Sequence, residues 1–253
     1  MKYFLSVLLI GLTITTGCGS SGAPKSPTPV STPEVKCEPI SYHRGFNAFE
    51  KGDYENANFY LATYLNNCVG TGHDDQIAYA KFMLGYCYEQ KAIDGTLSTA
   101  QRALFASQCK TFYRSYTTDP NAVNSHSSRA YEGMARVDYY LFDKGVGVKE
   151  ADIIRNIDAA AALSNGRTDP YEPLRLKGNF YNLQGKPDKA KVVFEDILKK
   201  DPQNTWAHIG LATAQESLGD LTDARLHLCM ALALDPANAV ATKGVSRLKA
   251  TCR

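Results

Sequence analysis

A chain of 253 residues is long enough to bury a sizeable core. Its formal net charge of +2 argues against the strongly basic surface of a nucleic-acid binder, and no nucleic-acid partner is expected. None of its seven cysteines sits in a CxxC, CxxCH or His-bearing zinc spacing, so neither metal nor haem is expected, and no cofactor.

Residues 1–17 read as an export signal. Lys2 precedes the apolar run Phe4 to Ile14, and small residues follow before Cys18. The run is shorter than the roughly 20 residues a membrane span needs. The ending Thr15-Thr16-Gly17-Cys18 resembles a bacterial lipobox, with Thr15 where leucine is usual. That resemblance implies lipidation of Cys18 and, with Gly19 next, an outer-membrane lipoprotein facing the periplasm. Cleavage after Ala23 instead leaves a soluble periplasmic or secreted protein. Residues 18–37 are rich in Ser, Gly, Pro and Thr, bury little apolar surface and read as a disordered tether.

Residues 38–253 carry the fold. Ile40 to Asn67 reads as a helical hairpin: Gly45 and Ala48 on the first helix, Gly52-Asp53-Tyr54 at the turn, Ala57, Leu61 and Leu65 on the second. Gln76 to Gln90 is the next first helix, with a long partner from about Leu97 to Thr117 whose apolar spacing continues through Ala100, Leu104 and Phe112. Asp74 and Asp75, after His73, are placed to cap the first of these. A third unit runs from Ser125 to Phe142 and from Glu150 to Leu163, closed by Asp169-Pro170.

From Tyr171 to Asn238 the pattern sharpens into two blocks. In the first, Leu174, Gly178 and Tyr181 precede Gly185, then Ala190, Phe194 and Asp201-Pro202. In the second, Leu211 and Ala212 precede Gly219-Asp220, then Ala224, Leu228, Ala231 and Asp235-Pro236. The period is about 34 residues. Small residues let helices approach. Bulky ones fill the space between, at about 1.5–3 kcal/mol each when buried. Gly185 and Gly219 suit helix ends, Asp220 an N-cap, and Pro187 a first turn. These blocks resemble the tetratricopeptide repeat family, with Lys177 and Gln215 where apolar or aromatic residues are usual. The resemblance implies an all-α superhelix of about five hairpins and a closing helix, Ala239 to Ala250. One hairpin cannot cover its own apolar face, so the hairpins must stack.

Six cysteines follow Cys18. Cys37 precedes the first helix and Cys68 ends its antiparallel partner, which brings these two within reach of a disulfide. Cys87 with Cys109 and Cys229 with Cys252 are less well matched, and buried thiols are the alternative.

The family binds extended peptides or helices in a groove lined by its first helices. Carried onto this chain, the groove-facing places are Tyr42, Phe46, Phe49, Tyr79, Phe82, Tyr86, Arg136, Tyr139, Arg175, Asn179, Asn182 and Trp206. The resemblance implies a non-enzymatic scaffold for an envelope protein partner, in an assembly such as a pilus, a secretin, outer-membrane insertion or cell-wall synthesis. Aromatics cluster toward the N-terminal half and Arg and Asn follow, so a partner is expected to lay apolar side chains on the former and a carboxylate or carbonyl on Arg136 and Arg175. The other reading of the aromatics is packing between helices. Arg175 with Asn179 resembles a carboxylate clamp, but Gly210 stands where that clamp has asparagine. No catalytic residue is expected, since no nucleophile motif or phosphate loop is present. The rival reading is a glycan- or peptidoglycan-binding protein, or an enzyme, using the aromatic groove; convergent carboxylates in a compact pocket favour it.

Overall fold

Helix starts and stops follow from local chemistry. Asp53 accepts a hydrogen bond from the Asn56 amide, and Ser98 and Gln101 cap each other reciprocally. Asn204 and Asn238 cap the last two first-helices in the same way as Asp53. Pro39, Pro173 and Pro187 sit in first turns, where a missing N–H costs nothing. Gly185 and Gly219 end their helices at φ +65° and +85°, a left-handed backbone that glycine adopts without strain. Two capping expectations are corrected. Asp220 occupies an N-cap position but its side chain makes no cap bond. The N-cap before the third helix is His73, and Asp74 and Asp75 fall in the first turn, where they complement the helix dipole.

The computed structural model describes residues 37–252. Among these, eleven helices and no strands form. They are α1 (Pro39–Glu50), α2 (Tyr54–Cys68), α3 (Asp74–Ile93), α4 (Thr99–Thr117), α5 (Asn124–Asp143), α6 (Glu150–Ala162), α7 (Glu172–Leu183), α8 (Pro187–Lys200), α9 (Thr205–Leu218), α10 (Leu221–Leu234) and α11 (Ala239–Leu248). They form five hairpins and a closing helix, the arrangement that the resemblance implies. The second hairpin is the extended one, with helices of 20 and 19 residues. The signal segment, Cys18 and the tether up to residue 36 lie outside the described residues. No described helix is long and apolar enough to cross a membrane.

Every helix packs on the next in sequence, and α1, α3, α5 and α7 each also touch the odd-numbered helix that follows. The first helices therefore lie side by side along the inner face of a solenoid. Their spacing rests on glycines. The Phe194 ring of α8 lies over Gly178 of α7, where an added Cβ would stand 2.5 Å from Cζ, and also over Gly210 of α9. Tyr113 of α4 does the same between Gly85 of α3 and Gly133 of α5. Leu61 sits against Gly45, and Leu228 against Gly244. In each case a bulky residue of a second helix fills the room left by a missing Cβ on a first helix. Lys177, a departure from the repeat pattern, reaches out to Asp158 of α6 at 2.7 Å.

The two ends of the solenoid are covalently closed. Cys37 is bonded to Cys68 with Cα atoms 4.6 Å apart, as the antiparallel geometry predicts. Cys229 is bonded to Cys252 at 5.2 Å, although this pair is expected to be less well matched than Cys37 with Cys68. Just after α11 the chain turns left-handed at Lys249, with φ +50°, and so carries the tail back over α10. Cys87 and Cys109 remain buried thiols.

Candidate functional site

The expected groove residues separate into two groups. The N-terminal aromatics interlock. Tyr42 packs on Tyr64, with ring centroids 5.3 Å apart, Phe49 on Tyr86 at 5.4 Å, and Tyr79 on Phe82 at 5.8 Å. Phe46 bridges Tyr42 and Tyr79. Burial, then Tyr79, Asp75 and Tyr64, push the Tyr42 phenol up to about 12. Phe82 is buried against Tyr113, Tyr116 and His126, which makes it a core residue and not a groove-lining one. The other five are half-buried among their neighbours. Packing between helices accounts for this group, because aromatic pairs from α1 and α3 bury each other's faces.

The C-terminal group converges. Arg136, Tyr139, Arg175, Asn179, Asn182 and Trp206 line one open groove of about 800 Å³. It crosses α5, α7 and α9 and reaches the start of α11 at Val240. Trp206 is 51% exposed, and Tyr140, Leu183 and Val240 also show apolar surface there. In this groove the exposed aromatic surface is that of Trp206 and Tyr140. Sequence reasoning missed Leu176 and Leu183. They lie three residues before and four after Asn179, and that helical spacing was the signal that places them beside it.

The groove arginines do not wait for a partner's carboxylate. Arg175 makes two bonds to Asp169, at 3.0 and 2.6 Å. Burial works against the Asp169 charge, but the Arg175 guanidinium outweighs it and holds the carboxyl below its usual range. Arg136 pairs with Glu132 one helical turn away and with Glu172 at 3.1 Å, and lies 3.6 Å from Glu89. Arg167, from the loop before α7, reaches both Glu132 and Glu172 at 2.7 Å. Deeper in, Arg129 bonds Glu89 at 3.1 Å, and Tyr113 donates to the other Glu89 oxygen at 2.7 Å. Glu89 and Glu132 are wholly buried. Burial opposes the Arg129 charge, and Glu89, Tyr113 and Glu132 outweigh it and raise its pKa. Gly133 is required where it stands, since a Cβ there would strike Glu89 and Tyr113.

This network corrects one expectation. Arg136 and Arg175 serve the internal carboxylates, so neither is a free docking charge. At Gly210, where a carboxylate clamp has asparagine, Asn182 donates to the backbone carbonyl at 3.1 Å, and Phe194 occupies the space a side chain would need. Glu132 and Glu172 do converge at the groove edge, the feature named for the enzymatic rival. Both are engaged by Arg136 and Arg167, and the groove around them is open. Among the described residues no cluster of three or more His, Cys, Asp or Glu is arranged to hold a metal.

A comparison with family models bears on the same end of the chain. Residues 182–248 match the tetratricopeptide repeat. The match begins in the last turn of α7 and runs through α11, and it supports the resemblance read from the paired blocks. The tetratricopeptide repeats of this segment supply Trp206, Ile209, Thr213 and Val240 to the groove. Comparison with curated proteins gave no match. Tetratricopeptide repeats point to a protein-interaction scaffold, and the fold is the helical-repeat solenoid that such a scaffold uses.

Proposed function

We propose that the protein is a non-enzymatic scaffold that holds a polypeptide segment of another envelope protein in the groove across α5, α7 and α9. The observation that carries this reading is the groove itself. It is open, it is continuous over three successive hairpins, and it shows an exposed tryptophan in surroundings of aliphatic and amide side chains. Single tryptophans in such positions dominate binding energies at interfaces. Two further supports bear on location. The sequence before residue 37 has the order of an export signal, a lipidation cysteine and a tether. Disulfides at both ends of the solenoid suit an oxidising compartment outside the cytoplasm. The protein is read as an outer-membrane lipoprotein anchored through Cys18 and facing the periplasm.

Photo-crosslinking tests the groove. A crosslinking residue at Thr213, on the groove floor, is expected to give a discrete adduct with a partner in intact cells. The same residue at Val192, on the outer helix α8, is expected to give none. Equal adducts from both positions, or none from either, would remove the reading. Labelling with a radiolabelled fatty acid tests the anchor: incorporation that persists in Cys18→Ala removes it.

A further inference from the structure

We infer that the groove selects an uncharged, apolar segment and discriminates against acidic tails. This rests on the groove reading above and narrows it to one partner chemistry. Charge complementarity is the argument. Each of the two groove arginines is already bound to carboxylates of its own chain, Arg175 to Asp169 and Arg136 to Glu132 and Glu172. A carboxylate arriving from solution must displace a tethered one, at the cost of leaving that one unpaired. The rim adjoining Trp206 is acidic. A polar recess of about 360 Å³ there is edged by Asp169, Asp201 and Asp235. Of these only Asp169 has an arginine; Asp201 and Asp235 bond the neutral side chains of Asn204 and Asn238. An incoming anion therefore meets a balanced floor and a negative rim, and gains nothing from either.

What the groove offers is neutral. Leu176, Leu183 and Val240 give aliphatic surface, and Trp206 and Tyr140 give exposed rings. Asn179 is exposed on the α7 face between the two leucines, and its side chain has no hydrogen bond to another described residue. An amide carries a donor and an acceptor together, which is what a main-chain peptide group presents in mirror order. The groove passes over three helices spaced about 8–10 Å apart. At about 3.3 Å per residue, roughly five or six extended residues cross it.

The protein supplies its own reporter, because Trp206 is the single tryptophan of the chain. An array of acetylated, amidated peptides lacking tryptophan, varied in charge and hydropathy, is probed with the full chain. Selected peptides are then titrated against the same protein while Trp206 emission is followed. Neutral apolar sequences are expected to be selected and to shift the emission. Their affinity is expected to change less than about twofold between roughly 0.05 and 0.5 M salt. Trp206→Ala, assayed by peptide anisotropy, is expected to weaken binding at least about tenfold, and Asn179→Ala about fivefold. Selection of acidic sequences whose affinity falls steeply with salt would overturn the neutral-partner inference and leave the groove standing. Selection of no sequence, or of sequences indifferent to Trp206→Ala, would overturn the groove reading and this inference with it.

Discussion

The ring of Phe194 lies directly against the Cα of Gly210, one hairpin further along the chain. The same ring covers Gly178 on its other side, so one aromatic sets the distance between α7 and α9. Alanine in a helix interior ordinarily gains about 0.5–1 kcal/mol over glycine. At position 210 the sign is expected to reverse. Gly210→Ala should lower stability by about 1–3 kcal/mol through overpacking, measured by urea denaturation. Phe194→Leu in the Gly210→Ala background should recover part of that loss. A stabilised Gly210→Ala would show that the ring gives way.

The buried carboxylate of Glu89 joins α3, α4 and α5 by accepting from Tyr113 and Arg129. Removing it leaves two guanidiniums, Arg129 and Arg136, short of a partner in a largely desolvated place. Glu89→Ala should cost about 3–5 kcal/mol. Tyr113→Phe removes one donor and should cost about 1–3 kcal/mol. Chemical denaturation of the two variants checks the order as well as the size.

In the fifth hairpin, His208 and His227 face each other through Nδ1 atoms 2.9 Å apart. Nε2 of His208 donates to the Pro202 carbonyl at 3.0 Å, so its Nδ1 accepts from His227. Burial first, and His208 second, lower the His227 pKa, while Asp223 pulls the other way. Burial also lowers His126 between its aromatic neighbours. A lowered histidine binds its proton more readily in the unfolded chain. Its contribution is complete above the unfolded value of about 6.5 and is lost as pH falls below that value. The melting temperature should therefore drop between about pH 7 and pH 5. The double variant His208→Gln/His227→Gln should drop less over the same interval.

Among the described residues, four cysteines are bonded and two are not. The bonded pairs span 31 and 23 residues, and opening either should cost about 3 kcal/mol on the chain-entropy account. Burial pushes the Cys87 thiol up to about 12 and Cys109 well above its ordinary value. Neither should react with iodoacetamide in the native protein, and both should react after denaturation without reductant. Mass spectrometry of the non-reduced digest reads both the pairing and the labelling.

Helices, turns and hairpin order were legible because their causes are local. A glycine that must take positive φ, a proline that cannot continue a helix and a 34-residue rhythm of small and large residues act within one repeat. The convergence of Arg136, Tyr139, Arg175, Asn179, Asn182 and Trp206 was also legible, since the first-helix positions of stacked repeats share a face. The exposure of those residues was not. Tyr42, Phe46 and Tyr79 stand at groove-facing positions too, but α1 and α3 approach closely enough for their rings to fill the space between them.

The amino-acid order alone determined a stack of helical hairpins with a shared inner face, because periodic burial leaves no other way to hide each apolar stripe. Only the tertiary structure decided which part of that face is open and which charges are spent. Glu89, Glu132, Asp169 and Glu172 lie as far as 40 residues from the arginines they neutralise. The long-range pairings, Glu89 with Arg129 and Glu172 with Arg136, are set by where helices cross, and spacing along the chain carries no record of them, whereas Glu132 with Arg136 and Asp169 with Arg175 are neighbours in sequence.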